Sequence, residues 1–183
     1  QEHGDVLVLH TPILRVEISL SAFSLAFFDH QGKLINRDDS FGIAWIGTEV
    51  TAYKKLQPNE KFIGLGEKTG NLNRFGNAYT HWNTDYFAYG VGDDPLYLSI
   101  PFYLGIHDQG HYGIYLDNPH KSLFNFGASN NRFASFSAED GDMDYYFFHY
   151  PSLSEIITSY TWLTGRMQMP PKWALGFQQC RYS

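Results

Sequence analysis

The 183-residue chain carries a net charge of −6, one cysteine (Cys180) and an aromatic share of 17%, with 15 Phe and 13 Tyr. The negative balance opposes binding to a nucleic-acid backbone, a lone cysteine excludes an internal disulfide, and no run of 18 apolar residues is present to form a membrane-spanning helix. A globule of this length buries roughly 70% of the surface its unfolded chain exposes, so it needs no metal or disulfide staple.

Tyr and Phe favour pleated, half-buried surfaces, and the chain reads accordingly. From residue 6 to residue 56 the pattern is strand, turn, strand. Residues 15–20 alternate polar and apolar side chains with period two, as a strand with one wet face does, and residues 23–28 continue the style. Asp29-His30-Gln31-Gly32-Lys33 then supplies a hairpin connection in which Gly32 can take a positive φ.

Residues 64–85, GLGEKTGNLNRFGNAYTHWNTD, show no sustained helical or alternating period. They carry Arg74, Tyr79, His81, Trp82 and Asp85 close together, and long loops of this kind are costly to order and often functional. Aromatic faces beside a carboxylate and amides suit a sugar, whose C–H faces stack on rings while its hydroxyls seek polar partners. Carbohydrate is the expected ligand class, with Trp82 expected as a ring buried under the loop. The opening Gly64-Leu65-Gly66-Glu67-Lys68-Thr69-Gly70 lacks the third glycine and following helix of a nucleotide fingerprint.

Asp108-Gln109-Gly110 repeats the hairpin arrangement between segments 102–107 and 112–117, and further short strands are expected at 121–126, 132–137 and 144–149. Even spacing of strands and turns predicts an antiparallel β-sandwich. Ser152 followed by Glu155 forms a capping box, and Leu153, Ile156, Ile157 and Tyr160 fall on one face of the helix it starts, which Gly165 is placed to end. Met169-Pro170-Pro171 reads as a stiff linker into an apolar strand at 174–179. A strand that follows a domain-closing helix and finds nothing to pair with implies a further domain.

A glycosidase of the usual kind needs two carboxyl groups flanking the scissile bond. The acids on offer are Glu67, Asp85, Asp93, Asp94, Asp140 and Asp142. Asp93-Asp94 and Glu139-Asp140-Gly141-Asp142 lie in turn contexts where short acids cap the backbone, and no convincing catalytic pair emerges. No metal site is expected: Asp140-Gly141-Asp142-Met143-Asp144 lacks the spacing of a calcium loop, and His81, His107, His111 and His149 read as surface or core polar groups. A serine nucleophile elbow is absent too.

Four blocks in order, Phe62-Ile63-Gly64-Leu65-Gly66-Glu67-Lys68-Thr69-Gly70, Trp82-Asn83-Thr84-Asp85, Pro95-Leu96-Tyr97-Leu98-Ser99-Ile100-Pro101-Phe102 and Pro170-Pro171-Lys172-Trp173-Ala174-Leu175-Gly176, closely resemble glycoside hydrolase family 31, above all its α-glucosidases. The resemblance implies a mainly β fold: an antiparallel, galactose-mutarotase-like sandwich over 1–150, a helix and linker over 151–169, and the first strand of a (β/α)8 catalytic barrel over 170–183. It implies retaining hydrolysis of terminal α-linked glucose in oligosaccharides, with no cofactor. The nucleophile of the family is the Asp of a WxDMNE-like segment that these residues do not contain, so the 183 residues alone are expected to be catalytically silent. Two substrate-binding positions carry over. Asp85 matches an Asp that reaches over the barrel mouth to sugar hydroxyls, and Tyr182, after Cys180-Arg181, matches an aromatic residue lining the pocket for the nonreducing sugar. The expected partners are the oligosaccharide and the chain's own barrel. Alternatives are an α-xylosidase of the same family, a noncatalytic carbohydrate-binding module, and a structural support that never touches substrate.

Overall fold

A computed structural model describes residues 2–179, with side chains from Gly4 onward. Among the described residues thirteen strands form: β1 (Glu2–His3), β2 (Val6–His10), β3 (Leu14–Ser19), β4 (Ser24–Asp29), β5 (Leu34–Ile46), β6 (Glu49–Lys55), β7 (Lys61–Gly66), β8 (Ala78–His81), β9 (Ser99–His107), β10 (Gly110–Leu116), β11 (Ser122–Asn125), β12 (Phe133–Ala138) and β13 (Tyr145–Phe148). One sheet has nine strands in the order β1-β2-β3-β4-β5-β6-β12-β11-β8, the other four in the order β13-β10-β9-β7, and neighbours run antiparallel throughout. The segments read from the sequence coincide with these strands to within two residues, save that β9 begins three residues before the expected 102; the alternating ones match because a side-chain period of two suits a sheet with one face turned inward.

Ile35, Ala52, Phe124 and Phe136 from the larger sheet meet Phe62, Tyr103, Tyr112 and Ile114 from the smaller one, all essentially buried. That shared apolar layer makes the two sheets a sandwich. The predicted turn between β4 and β5 is present, with Gly32 at φ 81 and the Asp29 carboxylate accepting from the Gln31 and Lys33 amides.

Strand alternation sends Phe102 and Leu104 to the outer face of the smaller sheet, where with Phe148 they receive Ile156 of the helix α1 (Leu153–Thr164). Gly113 permits this contact, since a Cβ there would lie 2.8 Å from Ile156 Cγ2. Half of the capping box forms: the Glu155 amide donates to Ser152 Oγ at 3.3 Å, but the Glu155 carboxylate accepts from the Ser152 hydroxyl at 2.6 Å and not from the Ser152 amide. Ile157 differs from expectation. It is 45% exposed, because the helix rests on a narrow strip centred on Ile156, with Leu153 and Tyr160 beside it.

Two expectations need correcting. Within the supposed loop 64–85, Gly64–Gly66 end β7 and Ala78–His81 form β8, an edge strand too short to show a period in sequence. At 174–179 the described residues show a 3-10 turn, Lys172–Leu175, followed by irregular backbone instead of a strand. A strand persists only where a neighbour takes up its N–H and C=O groups, and the described residues offer that segment none.

Candidate functional site

The candidate site is the loop between β8 and β9, and its geometry begins at the glycines of β7. Gly64, Leu65 and Gly66 have φ values of 129, 77 and 76, and the register with β9 slips there. A Cβ on Gly64 would stand 2.6 Å from the Phe102 carbonyl oxygen, and one on Gly66 2.6 Å from that of Leu98. The glycines thus serve a close strand approach, while the side chain of Leu65 is fully buried in the core. This bulge turns the chain out of the sheet and into residues 67–77.

Arg74 holds that stretch together. Its guanidinium is buried and donates to the carbonyls of Lys68, Thr69 and Asn71 at 3.1, 2.9 and 2.8 Å, and it lies over the Tyr79 ring. Arg74 is therefore used internally, and Tyr79, partly buried, packs its ring against the core. Lys68, with no exposed side-chain surface, pairs with Asp94 and donates to the Thr80 carbonyl at 2.7 Å, while the Thr80 amide donates to the second Asp94 oxygen. Asp93 caps the turn at Gly90 as its context predicts, but Asp94 is an ion-pair partner and not a turn cap. No local pattern signals this role, since its partners lie 26 and 14 residues away.

Beyond that clamp the loop is tied at several further points. The Thr84 amide donates to Leu96 O at 2.9 Å, Asn83 Oδ1 accepts from the Ser99 amide at 2.8 Å, and Tyr97 OH donates to Tyr86 O at 2.8 Å. Between these ties Asp85 is exposed, and its carboxylate makes no hydrogen bond or ion pair with the described residues. Trp82 is 54% exposed, which overturns the expectation of a buried ring: its neighbour His81 takes the inward position on the alternating strand, its ring tilted against that of Phe124 with centroids 4.5 Å apart. Tyr86, Phe87, Tyr89 and Val91 extend this exposed apolar surface.

His81 and Trp82 also line a cleft of about 280 Å³ with Asn83, Ser99, Asn118 and His120. Both ring nitrogens of His81 are buried without a partner among the described residues, and burial, reinforced by the Lys68 ammonium, pulls its pKa down to about 3. The imidazole is neutral at physiological pH. His107 and His111 stand four residues apart but face separate carbonyls, Ile35 O and Tyr150 O, and no group of three or more metal-ligating side chains occurs among the described residues. Tyr182, the other expected sugar-binding residue, lies outside the described residues.

Residues 1–125 match the family model of the glycosyl hydrolase 31 N-terminal galactose mutarotase-like domain. The chain belongs to glycoside hydrolase family 31. Alpha-glucosidase 2 of Bacillus thermoamyloliquefaciens is 40% identical over 88% of the chain, which spans 21% of that relative, and alpha-xylosidase XylQ of Lactiplantibacillus pentosus is 29% identical over 95% of the chain and 23% of its own length. Among solved structures, the family 31 dextranase FjDex31A of Flavobacterium johnsoniae, complexed with isomaltotriose, superposes with a TM-score of 0.90 at 43% identity, covering 97% of this chain and 22% of the dextranase. The chain thus spans about a fifth of the length of these family 31 relatives.

Proposed function

We propose that this chain is the N-terminal sandwich of a retaining family 31 α-glucosidase that releases terminal α-linked glucose from oligosaccharides. In this reading the sandwich positions substrate, while the acid and nucleophile come from a (β/α)8 barrel that residues 170–183 begin. The observation that carries it is Asp85, an exposed carboxylate with no partner among the described residues on a loop whose backbone is otherwise tied down. A carboxylate held in this way is pre-organised to accept from sugar hydroxyls, and a charge-assisted bond of that kind contributes about 1.5–3 kcal/mol. Tyr182 takes the wall of the nonreducing-sugar pocket, on the strength of the family resemblance.

Asp85→Ala in the full-length enzyme is expected to lower kcat/KM on maltose at least tenfold. An unchanged value removes Asp85 from the site. The isomaltotriose complex of the 43% identical dextranase favours a second reading of the linkage, in which α-1,6-linked glucose is preferred. Comparing kcat/KM on maltose, isomaltose and an α-xyloside ranks the two readings and the α-xylosidase alternative. The noncatalytic-module reading requires measurable maltose binding by the 183 residues alone in isothermal titration.

A further inference from the structure

We propose that Lys68 and Asp94 are positioning residues for this reaction: their buried ion pair, closed through Thr80, sets where the Asp85 carboxylate stands. The inference rests on the reading of Asp85 given above. Three segments converge on the clamp, namely the stretch after β7 through Lys68, the end of strand β8 through Thr80, and the returning end of the loop through Asp94. Thr80 and Asp94 bracket residues 81–93, and both the amide and the carbonyl of Thr80 are engaged, one by Asp94 and the other by Lys68. The excursion that presents Trp82 and Asp85 therefore leaves and re-enters the fold at one fixed point.

A buried ion pair adds little stability over well-packed apolar side chains of the same size, and its attested use is to specify one arrangement among several. Here Lys68 has no exposed side-chain surface and donates to both loop ends, so it can be satisfied only when they are side by side. Displacing a substrate-positioning group by about 1 Å can cost on the order of a hundredfold in rate. The exposed position of Asp85 gives it no restraint of its own, and it depends on the backbone that the clamp and the inner ties define.

The test is steady-state kinetics of the full-length enzyme on maltose, well below the melting temperature of each variant. Lys68→Met is expected to lower kcat/KM tenfold or more, through the same parameter, kcat or KM, that Asp85→Ala changes. Lys68→Met combined with Asp85→Ala should fall no more than about threefold below Asp85→Ala alone, because a displaced group that is already absent has nothing further to lose. Asp94→Asn keeps an oxygen for the Thr80 amide, and it carries the same comparison if Lys68→Met does not fold. Losses that multiply in the double variant, or a lowered melting temperature with unchanged kinetics, overturn the clamp as a positioning device. If Asp85→Ala impairs the enzyme while Lys68→Met and Asp94→Asn do not, the clamp falls and the reading of Asp85 stands. If Asp85→Ala is without effect, both fall.

Discussion

Lys54 Nζ lies 2.6 Å from Asp38 Oδ1, and the two residues are register partners on β6 and β5 inside the larger sheet. The same ammonium donates to Tyr145 OH, at 2.7 Å, on the edge strand of the opposite sheet, so one buried cation bridges the sandwich. Asp38 uses its other oxygen to accept from the Leu25 amide at 2.9 Å. Burial alone would draw the Lys54 pKa down, but Tyr145 and Asp38 outweigh it and the value stands raised. The cation is retained.

Lys54→Met should therefore destabilise the fold by about 3–5 kcal/mol, because it leaves the Asp38 carboxylate buried without its charge partner. Adding Asp38→Leu removes that orphaned charge and should recover most of the loss. Urea denaturation midpoints of the single and double variants measure the difference. Equal midpoints would show that Asp38 is not uncompensated in the single variant.

The contact between helix and sheet carries a separate expectation. Ile156 is fully buried against Phe102, Leu104 and Phe148, and Gly113 leaves no slack beneath it. Ile156→Ala should cost about 2–5 kcal/mol, whereas Ser152→Ala, which removes only the cap, should cost about 1 kcal/mol. Thermal unfolding of both variants tests the ranking. If Ser152→Ala is the more damaging, the helix is held by its cap and not by packing.

Local chemistry accounts for what could be read from the sequence alone. The hairpin at Gly32, the alternation of β3 and β4 and the Ser152–Glu155 cap are set by residues within a few positions of each other. Long-range pairings left no such trace: Lys68 meets Asp94 across 26 positions, and Lys54 meets Tyr145 across 91. The same limit explains Trp82, whose exposure depends on which residue of the β8 edge faces inward, a choice made by the pairing of His81 with Ser122 on β11. Asp85 was legible only through its place in Trp82-Asn83-Thr84-Asp85, since an exposed aspartate carries no periodic signal. The strand expected at 174–179 rests on an apolar run, a signal that a strand and the short helical turn Lys172–Leu175 share.

Two buried groups pull the acid stability of the fold in opposite directions. Burial raises the Glu60 pKa to about 7, against hydrogen bonds from the Gln57 amide and Tyr112 OH that hold it down. Its folded value lies above the ordinary 4.5, so its contribution is complete below pH 4.5 and is lost as pH rises through about 7. His81 has the reverse sign, because burial and the Lys68 ammonium lower its pKa from 6.5 to about 3. Its contribution is complete above pH 6.5 and is lost as pH falls toward 3. Between pH 4.5 and 6.5 the two slopes oppose each other. Glu60→Gln should leave the His81 term unopposed, so that the urea midpoint climbs with pH across this window. His81→Leu, an apolar side chain of similar volume, should leave the Glu60 term and make the midpoint fall with rising pH. Urea midpoints at pH 4.5, 5.5 and 6.5 for the parent and both variants decide the matter. Slopes of the same sign in the two variants would show that at least one of these groups titrates in the folded protein as it does in water.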